Sequence, residues 1–244
     1  MTSAVLFDLM GTILVAKSQI PERPLTSLWQ RFVQNGLSST EDDFTLAWKS
    51  ESRQPALEGH TPFEERICRV AKRLDWQLAW PGIQAIADEV CNLRAALLSV
   101  DVDAPAVLRR LSQHMKLGLV TNFDHPPAIY RLLRKHELSE WFSVVTISGE
   151  IGYWKPDPRI LSSAMGTMDV LPSQCLYVGD SRVDVEAAVA AGVTPVLIIR
   201  GDHRIDPMQE SEAPMDERFG DLVAFEDLRR IGSLCEVEEL ISEN

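Results

Sequence analysis

The sequence predicts an α/β fold, a doubly wound parallel sheet with an all-helical segment inserted after its first strand. Three features predict it. Short continuous apolar runs, as in strands buried on both faces, alternate with helical patterns from residue 101 onward. One such run, Ala4-Val5-Leu6-Phe7, comes far earlier, and residues 15–100 in between break the alternation. Three of the runs end in reactive side chains, Asp8, Thr121 and Asp180.

The first strand ends at Asp8, with a turn at Gly11-Thr12. The insertion contains no good strand but four helical stretches, Leu25–Gln34, Glu41–Ser50, Phe63–Leu74 and Ile83–Leu98. It holds Trp29, Trp48, Trp76 and Trp80, four of the six tryptophans, and reads as a helical insertion between the first strand and the rest of the sheet. A helix over 104–114 then leads to strand Leu117–Val120, ending at Thr121. Helix 128–136, strand Val144–Ile147, helix 159–168 and strand Cys175–Val178 follow, the last ending at Gly179-Asp180. Helix 184–191 and strand Val196–Ile199 continue the pattern. Residues 201–217 are polar and contain proline, so a surface loop is expected, with a weaker strand at Leu222–Phe225. The predicted organisation is therefore core 1–14, helical insertion 15–100, and core 101–244.

Composition narrows the function classes. The 244 residues are 45 % apolar, an ordinary globular composition able to fill a sizeable core. Thirty-six acidic against 24 basic side chains give a net charge of -12, which repels phosphate backbones. No basic stripe offsets it, so a nucleic-acid partner is not expected. Cys68, Cys91, Cys175 and Cys235 are scattered without metal-ligand spacing and read as free thiols of a reducing compartment. No apolar run approaches the ~18–20 residues of a membrane helix. These features predict a cytoplasmic protein with no membrane partner.

In open parallel sheets, ligands bind at the carboxyl ends of the strands. Asp8, Thr121 and Asp180 occupy such ends, and Lys155 lies in the loop Gly152-Tyr153-Trp154-Lys155-Pro156 ahead of a helix. Asp180 and Asp184, four apart at a strand end and the next helix opening, can turn both carboxylates toward one point. Each residue taken singly has a plainer explanation. Asp8 caps a turn, a loop lysine is solvated, and Asp184 complements a helix dipole. Asp157 before Pro158 needs only a helix-capping role.

Together, VLFDLMGT, LVTN, KPDP and YVGDSRVD resemble, in order, the four motifs of the haloacid dehalogenase superfamily of hydrolases and phosphatases. The resemblance covers residues 4–12 and about 116–199. It implies a Rossmann-like core, with a helical cap at the first of the family's two insertion points. It also implies that Asp8 is the nucleophile of a covalent aspartyl intermediate. Thr121, through its hydroxyl, and Asn122, through its backbone N–H, would hold the transferring group, and Lys155 would pair with Asp8 and the developing charge. A Mg²⁺ ion would take ligands from Asp8, Asp180 and the Met10 carbonyl, with Asp184 a direct or indirect ligand. Ser181 and Arg182 receive no role. The substrate class implied is a small anionic molecule.

One position departs from the family. Its phosphatases usually carry a second aspartate two positions after the nucleophile, which protonates the leaving oxygen and then deprotonates the attacking water. This chain has Met10. Such proton transfer is typically worth ~10²–10⁴-fold in rate. Three explanations stand: a good leaving group such as halide or an activated phosphate, a substitute such as His125, or weak catalysis with a binding role. Dehalogenase members also lack that aspartate, but GDSRVD is phosphatase-like, and its acidic pair would repel an anionic substrate without a cation. The leading expectation is a Mg²⁺-dependent phosphatase of a small phosphorylated metabolite, with 2-haloacid dehalogenase second. A phospho-accepting, receiver-like binding protein is third, and the helical insertion argues against it.

Overall fold

A computed structural model describes residues 2–17, 24–51, 54–200 and 228–242. Six parallel strands form the central sheet: β1 (Ala4–Phe7), β4 (Lys116–Thr121), β5 (Val144–Ile147), β6 (Cys175–Gly179), β7 (Thr194–Ile198) and β8 (Arg229–Ile231). Their order across the sheet is β5-β4-β1-β6-β7-β8. The winding direction therefore reverses between β1 and β6, which opens a crevice at the carboxyl ends of those two strands.

Every residue of β1 is buried, because apolar layers cover both faces of the sheet. On one face α5 (Ala104–Ser112), α6 (Pro126–Lys135) and α10 (Glu236–Ser242) pack on Val5, Phe7, Leu117 and Leu119. On the other, α8 (Arg159–Met168) and α9 (Arg182–Ala190) pack on Ala4, Leu6, Val120 and Tyr177. The continuous apolar runs follow from this double burial. A short helix, α7 (Ser148–Ile151), directly follows β5.

Four helices lie between the first strand and the rest of the sheet: α1 (Pro24–Gln34), α2 (Glu41–Ser50), α3 (Pro62–Arg73) and α4 (Trp80–Ala95). They enclose their own apolar cluster, in which Phe32, Phe44, Trp48 and Phe63 meet ring to ring. Thr40 caps α2 by accepting from the Asp43 N–H. Thr61 and Glu64 form a reciprocal capping box at the start of α3, with Pro62 next in line.

The expectation that residues 15–100 contain no strand needs correction. β2 (Leu14–Ala16) and β3 (Leu98–Val100) pair antiparallel where the chain leaves and re-enters the core. Three residues on each side carry too short a pattern to register in the sequence, and the pairing joins positions more than eighty residues apart. Arg229–Ile231 also pairs with β7 although its composition is poor in apolar residues. The proposed loop at 201–217 and strand at Leu222–Phe225 lie outside the described residues.

Candidate active site

Asp8 stands just past β1, its backbone N–H donating to the Val178 carbonyl at 2.8 Å, so the two neighbouring strands set its position. The following turn is tied by Ile13 and Leu14 N–H groups to the Leu9 carbonyl. Gly11 occupies the left-handed region at φ +86°, and a Cβ there would fall 2.0 Å from Asp180 Oδ2. Glycine is needed on both counts. A Cβ on Gly179 would likewise meet the Asp184 side chain at 2.5 Å. These two glycines let three carboxylates crowd together, and Asp8, Asp180 and Asp184 each offer an oxygen within 4.8 Å of the others.

Lys155 reaches into this group from the loop before α8. Its ammonium donates to Asp8 Oδ1 at 2.6 Å and Asp184 Oδ1 at 2.7 Å, and to the Tyr177 hydroxyl at 3.0 Å. Burial by itself would depress the Lys155 ammonium, but the Asp184 and Asp8 carboxylates outweigh it, and the lysine is held charged. Burial pushes the Asp8 carboxyl up to about 7 against the pull of Lys155, with the Asp184 charge adding to the rise. An oxygen-only cluster carrying three carboxylates and one ammonium suits a hard divalent cation.

Asp184 both caps a helix and joins the cluster around Lys155. Its Oδ2 accepts from the Ser181 backbone N–H at 3.0 Å and from the Ser181 hydroxyl at 2.5 Å at the N-terminus of α9. Its Oδ1 accepts from Lys155 and from Tyr177, the latter at 3.0 Å. Four donors thus occupy the roughly four acceptor positions of a carboxylate.

Thr121 is buried at the end of β4, beside β1. Asn122 clasps the lysine loop: its amide donates to the Lys155 carbonyl at 3.0 Å and accepts the Lys155 N–H at 2.8 Å. That side-chain role was not anticipated. Met10 is 5 % exposed and packs in the apolar cluster with Leu9, Ile13, Leu14 and Leu98. His125 is 2 % exposed, with Nδ1 3.0 Å from Thr61 Oγ1 and Nε2 3.0 Å from Asp88 Oδ1. Both ring nitrogens are engaged by residues of the helical insertion.

Sequence reasoning also missed Tyr177, Ser181 and Arg200. An aromatic inside a buried strand carries no signal beyond packing, so Tyr177 was invisible. Arg200 donates to the carbonyls of Gly11 and Thr12 and to Asp101 Oδ2, bracing the turn after Asp8 against the returning linker. Ser181 had the one readable cue, a serine three residues before an acidic residue at a helix start.

Residues 2–192 match the family model described as hydrolase, haloacid dehalogenase-like hydrolase. The chain is 44 % identical over 200 residues to phosphoserine phosphatase of Thermus thermophilus, covering 81 % of this chain and 71 % of that one. It is 34 % identical over 193 residues to phosphoglycolate phosphatase of Salmonella choleraesuis, covering 73 % and 69 %. Among solved structures, a HAD phosphatase from Thermococcus onnurineus superposes with TM-score 0.62 at 25 % identity, covering 98 % of each chain. A 2-haloacid dehalogenase from Pseudomonas syringae pv. Tomato superposes with TM-score 0.64 at 17 % identity over 100 % and 99 %, a likeness of fold alone.

Proposed function

The chain belongs to the haloacid dehalogenase-like hydrolases, and on that footing we propose that it is a Mg²⁺-dependent phosphatase of a small phosphorylated metabolite, with Asp8 as the covalent acceptor. The observation that carries the reading is the convergence of Asp8, Lys155 and the Asp180–Asp184 pair, from three chain segments remote from one another, onto one largely buried point. That its curated relatives are phosphatases supports the phosphoryl side of the family's chemistry.

An Asp8 oxygen attacks phosphorus, the bond to the leaving oxygen breaks with its electron pair going to that oxygen, and an aspartyl phosphate remains. Water then attacks the phosphorus, releasing inorganic phosphate and regenerating the Asp8 carboxylate. Thr121, through its hydroxyl, and Asn122, through its backbone N–H, hold the phosphoryl oxygens, while Lys155 balances their charge. Asp8, Asp180 and the Met10 carbonyl would hold Mg²⁺, with Asp184 contributing from behind because its oxygens are already engaged. When bound, the cation offsets repulsion between the carboxylate and an anionic substrate. The helical insertion serves as the cap that closes over this site and excludes water. The free thiols fit a reducing compartment, and we place the enzyme in the cytoplasm.

Met10 keeps a second reading in view, because a carbon–halogen bond needs no protonated leaving group. The acidic trio weighs against it, since a 2-haloacid is itself an anion and halide displacement gains little from a cation beside the nucleophile. Phosphate and halide release measured on substrate panels, with Mg²⁺ and with chelator, separate the two. Phosphate release is expected, lost in chelator and abolished in Asp8→Asn, whose amide is a poor nucleophile. Halide release persisting in chelator would reverse the order.

A further inference from the structure

Tyr177 sits in the middle of β6, 1 % exposed, its ring packed in the apolar layer with Ile160, Leu161 and Ala164. Its hydroxyl is buried among charges. It accepts from Lys155 Nζ at 3.0 Å, and its single proton has two acceptors in reach, Asp184 Oδ1 at 3.0 Å and the Val120 carbonyl at 3.2 Å.

An ammonium has three protons in fixed tetrahedral directions. On Lys155 the two carboxylates take two of them, and the third goes to the Tyr177 oxygen. The remaining neighbour, the Val120 carbonyl, stands 3.4 Å from Nζ, beyond the usual range for an N–H donor. The hydroxyl is thus the acceptor that fixes the ammonium's rotation while two protons stay on the carboxylates. Without it, a fully buried N–H loses its partner, and the head group gains by swinging toward Val120. That swing takes charge and direction away from Asp8 Oδ1.

We propose that Tyr177 is a positioning residue for phosphoryl transfer: its hydroxyl holds the Lys155 ammonium on Asp8 in the geometry the reaction needs. This rests on the reading of Asp8 as phosphoryl acceptor. The tyrosine does not touch substrate; it acts through the lysine. Because substrate is held by other groups, the effect falls on the reaction step rather than on capture.

The test is Tyr177→Phe in the full chain, which deletes one oxygen and keeps the ring in its apolar layer. With p-nitrophenyl phosphate and saturating Mg²⁺, kcat is expected to fall about 10-fold, as for loss of a hydrogen-bonded outer partner. KM and the melting temperature stay close to wild type. In parallel, the ¹⁵Nζ resonance of the Lys155 ammonium is expected to shift and broaden in the variant, a readout that needs no turnover. An unchanged kcat with an unchanged resonance overturns the proposal and leaves a packing tyrosine. So does a variant whose kcat and KM change in step with its melting temperature. A wild-type protein that releases no phosphate from any substrate fails the phosphatase reading instead, while a shifted resonance would still uphold the role of the hydroxyl on Lys155.

Discussion

On the proposed phosphatase reading, methionine at position 10 limits the leaving groups that depart well. A thioether neither gives nor takes a proton, and here it is packed with Leu9, Ile13, Leu14 and Leu98. His125, the residue best placed by sequence to substitute, is committed to Thr61 and Asp88. Leaving groups that depart as stable anions, such as aryl or acyl phosphates, should therefore outpace alkyl phosphates. Met10→Asp is expected to raise turnover of alkyl phosphates by roughly 10²-fold, the lower end for general acid–base catalysis, and that of aryl phosphates by less. Seating a carboxyl among those apolar side chains should cost roughly 1–3 kcal/mol of stability. A kcat series against leaving-group basicity, alongside melting curves, checks both. No gain on any ester, with metal binding intact, would remove position 10 from the proton-transfer pathway.

The helices of the insertion are fastened to the core through the loop after β4. The Phe63 N–H donates to the Asp124 carbonyl, Thr61 at the α3 cap meets His125, and Asp88 on α4 accepts from both His125 and Arg131. That loop begins at Asn122, next to Thr121 at the end of β4, so docking of the insertion and the proposed phosphoryl binding share one short stretch of chain. Burial alone would raise the Asp88 carboxyl, but the hydrogen bonds from His125 and Arg131 outweigh it and hold it below its ordinary 3.8. A depressed carboxylate contributes stability that is complete above the unfolded value and is lost as pH falls through the folded one. Asp88→Asn should therefore lower the urea midpoint at pH 7, and the difference from wild type should close on acidification below 3.8. Because Asp88 is 47 % exposed, screening keeps the effect to about 0.5–1 kcal/mol. A difference that does not depend on pH would mean that packing, not charge, fastens the insertion.

Taken whole, the molecule places its reactive groups where the winding of the sheet reverses, between β1 and β6. It also carries a net charge of -12, which opposes the approach of a phosphorylated anion. With Mg²⁺ saturating, kcat/KM for a dianionic substrate is expected to rise a few-fold as salt goes from about 10 mM to 150 mM, because the Debye length shrinks from about 30 Å to 8 Å. A flat response would show that the field at the mouth of the site is already neutral.

Apolar runs, turn residues and the four motifs are properties of neighbouring residues, so the chain alone gave the strands ending at Asp8, Thr121 and Asp180, the helices of the insertion, and the family. What it could not give were partnerships between distant positions. The pairing of β2 with β3, the Asn122 clasp on the Lys155 backbone, the engagement of His125 by Thr61 and Asp88, and the Tyr177 hydroxyl on Lys155 each join segments through strand order and side-chain direction. Local patterning fixes which face a residue turns to, but only the assembled sheet decides what stands opposite it.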